Sequence, residues 1–99
     1  MRRSLLAVSL LFLAACAPVP KMAPVPDDSM AHRSGVKVKT LQRGHTVYLS
    51  QCGRCHEYVM PADVSKADWH VVVPGMAWNA GIPPADEKAL TAYLLAAKK

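Results

Sequence analysis

The stretch QCGRCHEY, residues 51–58, holds two of the three cysteines of the chain and places a histidine directly after the second one. Cys52 and Cys55 are separated by two residues, and His56 is next. The third cysteine, Cys16, ends an apolar N-terminal run, so a framework of several disulfides is not available. The paired thiols therefore indicate another use.

The first sixteen residues have the pattern of an export signal. Two arginines precede an apolar run, residues 5–15, that is too short to span a bilayer. Residues 13–16, LAAC, resemble the lipobox of bacterial lipoproteins, which implies cleavage before Cys16 and attachment of lipid to that cysteine. A plain secretory signal cut at a neighbouring alanine is the alternative. The lipobox interpretation predicts a signal peptide over residues 1–15 and a lipid-anchored protein on a membrane surface that faces the periplasm.

A proline-rich segment follows the predicted lipidation site. It contains the sequence APVP twice, at 17–20 and 23–26, and has few large apolar residues. Such composition favours extended polyproline conformation, so residues 16–36 are predicted to be the lipidated cysteine and a tether. Met22 and Met30 lie in this tether and are interpreted as bystanders rather than ligands. Residues 37–99 are predicted to form one small domain. A domain of this size commonly needs a disulfide, a metal or a cofactor to be stable.

Charge and motifs exclude several functions. The formal charge is +5, of which Arg2 and Arg3 contribute two, so the mature chain would carry about +3. No run of Lys or Arg indicates binding to nucleic acid. No pattern of a catalytic triad, paired carboxylates or a phosphate loop is present, so we do not expect an enzyme.

The sequence Cys52-Gly53-Arg54-Cys55-His56 matches the attachment pattern for c-type haem. The two thiols add to the two haem vinyl groups, and the adjacent imidazole becomes the proximal iron ligand. The motif therefore predicts one covalently bound haem c, with Gly53 leaving room for the macrocycle.

Three other uses of the motif are alternatives to haem attachment. A thioredoxin-like dithiol expects βαβ surroundings, whereas this motif lies in helical patterning. A zinc site would need further ligands, yet the chain has no second Cys-x-x-Cys and no spaced histidine pair. A disulfide between Cys52 and Cys55 would close a tiny loop and stabilise little. The export signal favours haem over all three.

Two amphipathic helices are predicted at the two ends of the domain. Upstream of the motif, Leu41, Gly44 and Tyr48 share one helical face, with Thr40 as a candidate N-cap. Downstream, two prolines and an acidic first turn precede an apolar face made of Leu90, Tyr93, Leu94 and Ala97. The missing side chain of Gly44 would let the two helix axes approach, with Tyr93 beside it. The alternative is that Gly44 only weakens an exposed helix.

In these features, from about residue 41 to 97, the sequence resembles the class I cytochrome c family. The matching positions are Gly44, Tyr48, Cys52, Cys55, His56, Tyr93 and Leu94. The resemblance implies an all-α, class I cytochrome c-like haem domain over residues 37–99, whose N- and C-terminal helices cross. It also implies a carrier of single electrons between redox protein partners. Two alternatives remain: a haem-bearing accessory subunit of a larger dehydrogenase or respiratory complex, and a ligand-sensing haem protein.

The second axial ligand of such a haem is often a methionine. Met60 lies only four residues after His56, at most about 14 Å along an extended chain, which is too short to round the porphyrin. Met76 has ample reach, so it is the predicted ligand. His70 is the competing candidate, and a purely packing role for Met76 is a further alternative.

The segment around Met76 is predicted to be a helix. Ser65 and Asp68 resemble a capping box, and the residues at helical spacing are Trp69, Val72, Val73 and Met76. Pro74 and Gly75 are expected to kink or end this helix and so to present the methionine. Trp69 and Trp78 are expected to form walls of the haem pocket, or else to lie in the core. A carbonyl near Pro61 is expected to accept from Nδ1 of His56.

Overall fold

The structure is a computed structural model that describes residues 22–98. The predicted signal peptide and Cys16 lie outside these residues. The described part is helical and contains no strand, which confirms the all-α prediction. Its helices are α1 (Asp28–Ser34), α2 (Val38–Val47), α3 (Lys66–Ala80) and α4 (Pro84–Ala96), with a π-helical segment (Tyr48–Cys52) after α2 and a 3-10 turn (Pro61–Asp63) before α3. None of the helices in this part is long and apolar enough to cross a membrane.

Helices α2 and α4 form the centre of the fold. The predicted faces of both helices are buried, with Leu41, Tyr93 and Leu94 fully inaccessible. A Cβ atom built on Gly44 would lie 2.1 Å from the Ala89 carbonyl oxygen and 2.6 Å from Tyr93 Cβ. The two backbones therefore approach so closely that only glycine fits. This confirms the predicted role of Gly44 and rules out the exposed-helix alternative.

The start of α2 differs from the prediction. The helix begins at Val38, with Lys37 as its N-cap and no side-chain cap bond, so Thr40 lies within the first turn. Helix α4 does begin at the predicted prolines, with Pro83 as N-cap and Pro84 as its first residue. An ion pair of 2.5 Å between Arg43 and Asp86 joins α2 to the first turn of α4. Because both side chains are partly exposed, this pair stabilises the contact only slightly.

Helix α3 is longer than predicted. Ser65 is its N-cap, as expected, and its Oγ accepts the Asp68 backbone N–H at 3.0 Å. The helix then continues through Pro74 to Ala80, so the prediction that it could end there is wrong, whereas the predicted kink stays a prediction. Proline there removes one hydrogen bond, to the carbonyl of His70; both residues lie on the exposed side of α3, where water can replace it.

The end and the buried face of α3 have clear local causes. Gly81 ends the helix with a φ of 67°, and the Ile82 backbone N–H donates to the Ala77 carbonyl at 2.9 Å. The buried residues are Trp69, Val73 and Ala77. Val72 is exposed and Met76 is half-buried, so the apolar face is rotated from the predicted one.

Residues 23–34, which we call the N-terminal strap, pack on α2 and α4. Ala23, Pro26 and Met30 are buried, and the Tyr93 hydroxyl donates to the Pro24 carbonyl at 2.7 Å. The prediction of extended polyproline conformation is therefore wrong for residues 28–34, which are helical. Met30, which was not expected to be a ligand, packs in the hydrophobic core.

Candidate functional site

The Cys-x-x-Cys-His motif lies on a turn at the end of the first long helix. Helix α2 continues without interruption into the π-helical segment, which ends at Cys52. The chain then turns, with the Arg54 backbone N–H donating to the Gln51 carbonyl at 3.3 Å. Such π-helical turns occur often at functional sites. The helix thus delivers both cysteines to one short turn.

The two motif thiols are free but differ in environment. Cys52 is half-buried and Cys55 is exposed, and neither forms a disulfide. Burial raises the pKa of the Cys52 thiol. The disulfide alternative is therefore wrong for this structure, and both sulfur atoms are available for bond formation.

His56 is exposed and its ring is oriented by its neighbour. Nδ1 lies 2.7 Å from the Glu57 carbonyl oxygen. Because a carbonyl oxygen only accepts, this contact places the proton on Nδ1 and leaves Nε2 free to bind a metal. The expected partner near Pro61 is wrong, since the Pro61 carbonyl accepts from the Trp69 indole at 3.0 Å and from the Lys98 ammonium at 3.3 Å.

A pair of tyrosines fastens the motif loop to the helix before it. The Tyr48 hydroxyl donates to the Val59 carbonyl at 2.9 Å, and the Tyr58 hydroxyl donates to the Leu49 carbonyl. The Tyr58 ring also fills the space beside Gly53, where an added Cβ would lie 2.5 Å from Tyr58 Cζ. The room that we expected Gly53 to leave for a macrocycle is thus occupied by Tyr58 in this structure.

Helix α3 runs beside the motif turn. A small cavity of about 160 Å³ is lined by Arg54, Cys55, Asn79 and Ala80. Met76 lies three residues before Asn79, about one helical turn away, and is half-buried against the core. His70 is exposed and lies nine residues before Asn79, about 13 Å along the helix axis. Of these two candidates, Met76 is on the part of α3 that is next to the motif.

The other residues expected at the site lie as follows. Met60 is half-buried and packs against the core, just before the 3-10 turn. Trp69 is a core residue, the alternative given for it, whereas Trp78 is 88% exposed. His45, next to Gly44 on α2, was expected to be exposed rather than to lie at the site. It is half-buried, its ring centroid 5.1 Å from that of Tyr93, and burial lowers its pKa.

Large apolar side chains remain exposed around the motif and on α3. Of the eight exposed large hydrophobic residues in the described part, six are Leu49, Tyr58, Val59, Val71, Val72 and Trp78. These exposed apolar side chains are available to a ligand or a partner.

The residues present fit a covalently attached haem in their chemistry. Two unpaired thiols at the required spacing, an imidazole with a free Nε2 and a thioether on the adjacent helix form the donor set. The cavity at Cys55 is smaller than a porphyrin, so the macrocycle would also cover exposed apolar side chains. Within residues 22–98, no three His, Cys, Asp or Glu side chains converge on a possible metal position, so the zinc alternative gains no support.

Comparison of the chain with protein-family models, with curated proteins and with solved structures found no match. We therefore infer the function from the residues of the site. Sequence reasoning missed Tyr58 and Lys98, whose contacts depend on how the motif loop folds back. Lys98 donates to the carbonyls of Pro61, Ala62 and Val64 and so holds that loop against the C-terminus.

Proposed function

We propose that this protein is a monohaem c-type cytochrome of the class I kind. It would be tethered by lipid at Cys16 to a membrane surface facing the periplasm, where it carries single electrons between redox protein partners. The observation that carries the proposal is the motif turn. It holds the free thiols of Cys52 and Cys55 and the imidazole of His56, whose Nε2 is free, and exposed apolar side chains lie nearby. The close α2–α4 contact at Gly44 also supports it, because the sequence resemblance includes that feature.

Haem bound at this site would supply a one-electron couple at its iron. Cys52 and Cys55 would hold it by thioether bonds, and Nε2 of His56 would bind the metal. The Glu57 carbonyl fixes the imidazole tautomer and raises the basicity of the ligand. Met76, on α3, would supply a second ligand to the iron.

The surrounding residues would control water and rigidity. Exposed apolar side chains such as Leu49 and Val72 would help to exclude water from a bound haem, which favours the less charged redox state. The hydroxyls of Tyr48 and Tyr58 hold the motif loop in place. No step requires a catalytic acid, base or nucleophile.

Absorption spectroscopy of the oxidised protein tests the axial assignment. The wild-type protein should show the weak long-wavelength band of sulfur-ligated haem, Met76→Ala should lose it, and the matched variants Met60→Ala and His70→Ala should retain it. Retention in Met76→Ala would contradict the assignment. Carbon monoxide binding to the reduced wild-type protein without displacement of a methionine would favour the ligand-sensing alternative.

One observation favours the accessory-subunit alternative. Val71 is 76% exposed and Trp78 is 88% exposed on α3. Residues 69–85 contain no Asp, Glu, Lys or Arg. A fixed partner could cover such an uncharged face. Native purification tests this: a partner that stays bound in the wild type and is lost in Trp78→Ser would establish the subunit role, and a monomer that exchanges electrons reversibly would exclude it.

A further inference from the structure

A groove of about 1100 Å³ lies away from the motif, between the end of α1 and the outward face of α4. Its walls carry four basic side chains and one acidic one: Arg33, Lys66, Lys88, Lys98 and Glu87. Apolar side chains such as Val36 and Leu95 complete the lining. We call this cavity the basic groove.

Three of its four cations can reach a ligand, and one of these, Arg33, also donates an N–H to the Ser29 hydroxyl at 2.7 Å. The one ion pair within residues 22–98 joins Arg43 and Asp86, so the groove cations have no carboxylate partner there. Lys98 directs its ammonium group at backbone carbonyls of the loop before α3. Arg33, Lys66 and Lys88 are exposed, and this excess of positive charge is complementary to an anion.

The position of the basic groove along the chain points to a membrane. Met22, the first described residue, lies six positions after Cys16, a distance of at most about 20 Å along an extended chain. The N-terminal strap packs on the domain from Ala23 onward, and its helix α1 contributes Arg33 to the groove. On the proposed lipid anchor, the groove would therefore be held near the lipid headgroups.

The basic groove and the motif lie at different ends of α3. Lys66 begins this helix and borders the groove, whereas Asn79 borders the cavity at Cys55. Thirteen residues separate them, which is about 20 Å along the helix axis. A membrane contact at the groove would thus leave the Cys55 end open to a redox partner.

We propose that the basic groove binds the anionic phosphate headgroup of a membrane phospholipid. Arg33, Lys66 and Lys88 contact the phosphate, and the apolar lining contacts the adjoining glycerol and acyl carbons. The domain then rests on the bilayer in one orientation. This inference rests on the proposed anchor for its proximity to the membrane, but not on the proposed haem.

Lysine acylation of the intact chain tests the proposal. The purified chain is mixed with vesicles of phosphatidylcholine or of phosphatidylglycerol, and acylation rates are measured by peptide mass spectrometry. Lys66 and Lys88 should react several-fold more slowly on the anionic vesicles, because contact with the headgroup phosphate keeps each ammonium group protonated and covers it. Lys39, exposed on α2, should react equally on both, and high salt should remove the protection.

Matched variants identify the cations responsible. Arg33→Gln combined with Lys88→Gln should abolish the protection of Lys66, whereas Lys39→Gln should leave it intact. The proposal is overturned by equal protection of Lys39, by no protection, by full protection from inorganic phosphate alone, or by protection that needs a soluble acidic protein. The Cys16 peptide mass and the haem absorbance are measured on the same sample, so failure of the anchor or of the haem is seen separately.

Discussion

At the scale of single residues, three tyrosine hydroxyls connect distant parts of the chain to the helical core. Tyr48 and Tyr58 fasten the motif loop, and Tyr93 fastens the N-terminal strap, each by donating to a backbone carbonyl. The Tyr48 ring lies between the other two, with centroid distances of 5.4 Å to Tyr58 and 5.8 Å to Tyr93. Edge and offset contacts of this kind add to the area that the rings bury.

The buried hydroxyls of Tyr48 and Tyr93 predict a loss of stability in alkali. Burial, with smaller contributions from the nearby acidic groups of Cys52, Tyr58 and Asp63, raises the pKa of Tyr48 to about 12, and burial also raises the pKa of Tyr93. The unfolded chain therefore loses these protons first, near pH 10. The free energy of unfolding should be maintained below that pH and fall as the pH rises toward 12, as measured by denaturant titration.

The variant Tyr93→Phe separates this effect from other titrations. It should cost about 1 kcal/mol at neutral pH, because the Pro24 carbonyl loses its donor, but it should reduce the alkaline loss. An unchanged alkaline slope in a variant lacking both the Tyr48 and the Tyr93 hydroxyls would contradict the assignment.

The motif could be recognised in the sequence because Cys52, Cys55 and His56 lie within five consecutive positions. The contacts around them could not. The role of Tyr58 depends on the loop folding back over Gly53, and the partner of His56 proved to be the next carbonyl along the chain. No spacing in the sequence encodes either contact.

At the scale of secondary-structure elements, the α2–α4 contact is the most sensitive feature of the fold. Gly44→Ala gains helix propensity, but its Cβ would meet the Ala89 backbone at 2.1 Å, where no side chain can move aside. We expect the free energy of unfolding to fall by about 1–3 kcal/mol in denaturant titration.

Gly75→Ala is the matched control. Gly75 lies within α3, and no atom lies within 4 Å of a Cβ built there. Because only helix propensity changes, this variant should be more stable by about 0.5–1 kcal/mol. Equal effects of the two substitutions would contradict the close contact at Gly44.

The starts and ends of these helices show which sequence signals were sufficient to predict a helix boundary. Pro83 and Pro84, followed by acidic residues, fixed the start of α4 correctly, because proline suits the first helical turn. Ser65 likewise predicted the start of α3. Thr40 was misleading because the N-cap of α2 is Lys37, three residues earlier, which makes no side-chain cap bond. Pro74 does not end α3, which continues to Ala80 and is capped by Gly81.

At the scale of the whole molecule, the N-terminal strap is part of the folded unit, because its buried side chains pack on α2 and α4. Met30 tests this contribution. Met30→Ala should lower the free energy of unfolding by about 2–4 kcal/mol, because this side chain is only 3% exposed. Met22→Ala is the matched control, since Met22 is 79% exposed, and it should have almost no effect. Equal, small effects in thermal unfolding would show that the strap does not contribute to the core.

The proline-rich composition of residues 16–36 predicted an extended tether, although the segment also contains the capping signals of a short helix. Asp27 accepts the Met30 backbone N–H at 2.7 Å, and Gly35 ends α1 with a φ of 70°. Both signals are present in the sequence, but seven residues with one buried side chain give no periodicity to detect. The burial of Met30 depends on α2 and α4, which only the folded chain brings together.

The central claim is that Cys52 and Cys55 carry a covalent haem. The most direct measurement is the mass and the absorption spectrum of the denatured full chain after expression with a c-type haem maturation system. We predict the mass of the processed chain plus one haem, with haem absorption that stays with the polypeptide and is lost in the Cys52→Ser, Cys55→Ser double variant. A chain that weighs no more than its amino acids and lipid, and shows no haem absorption, would contradict the account.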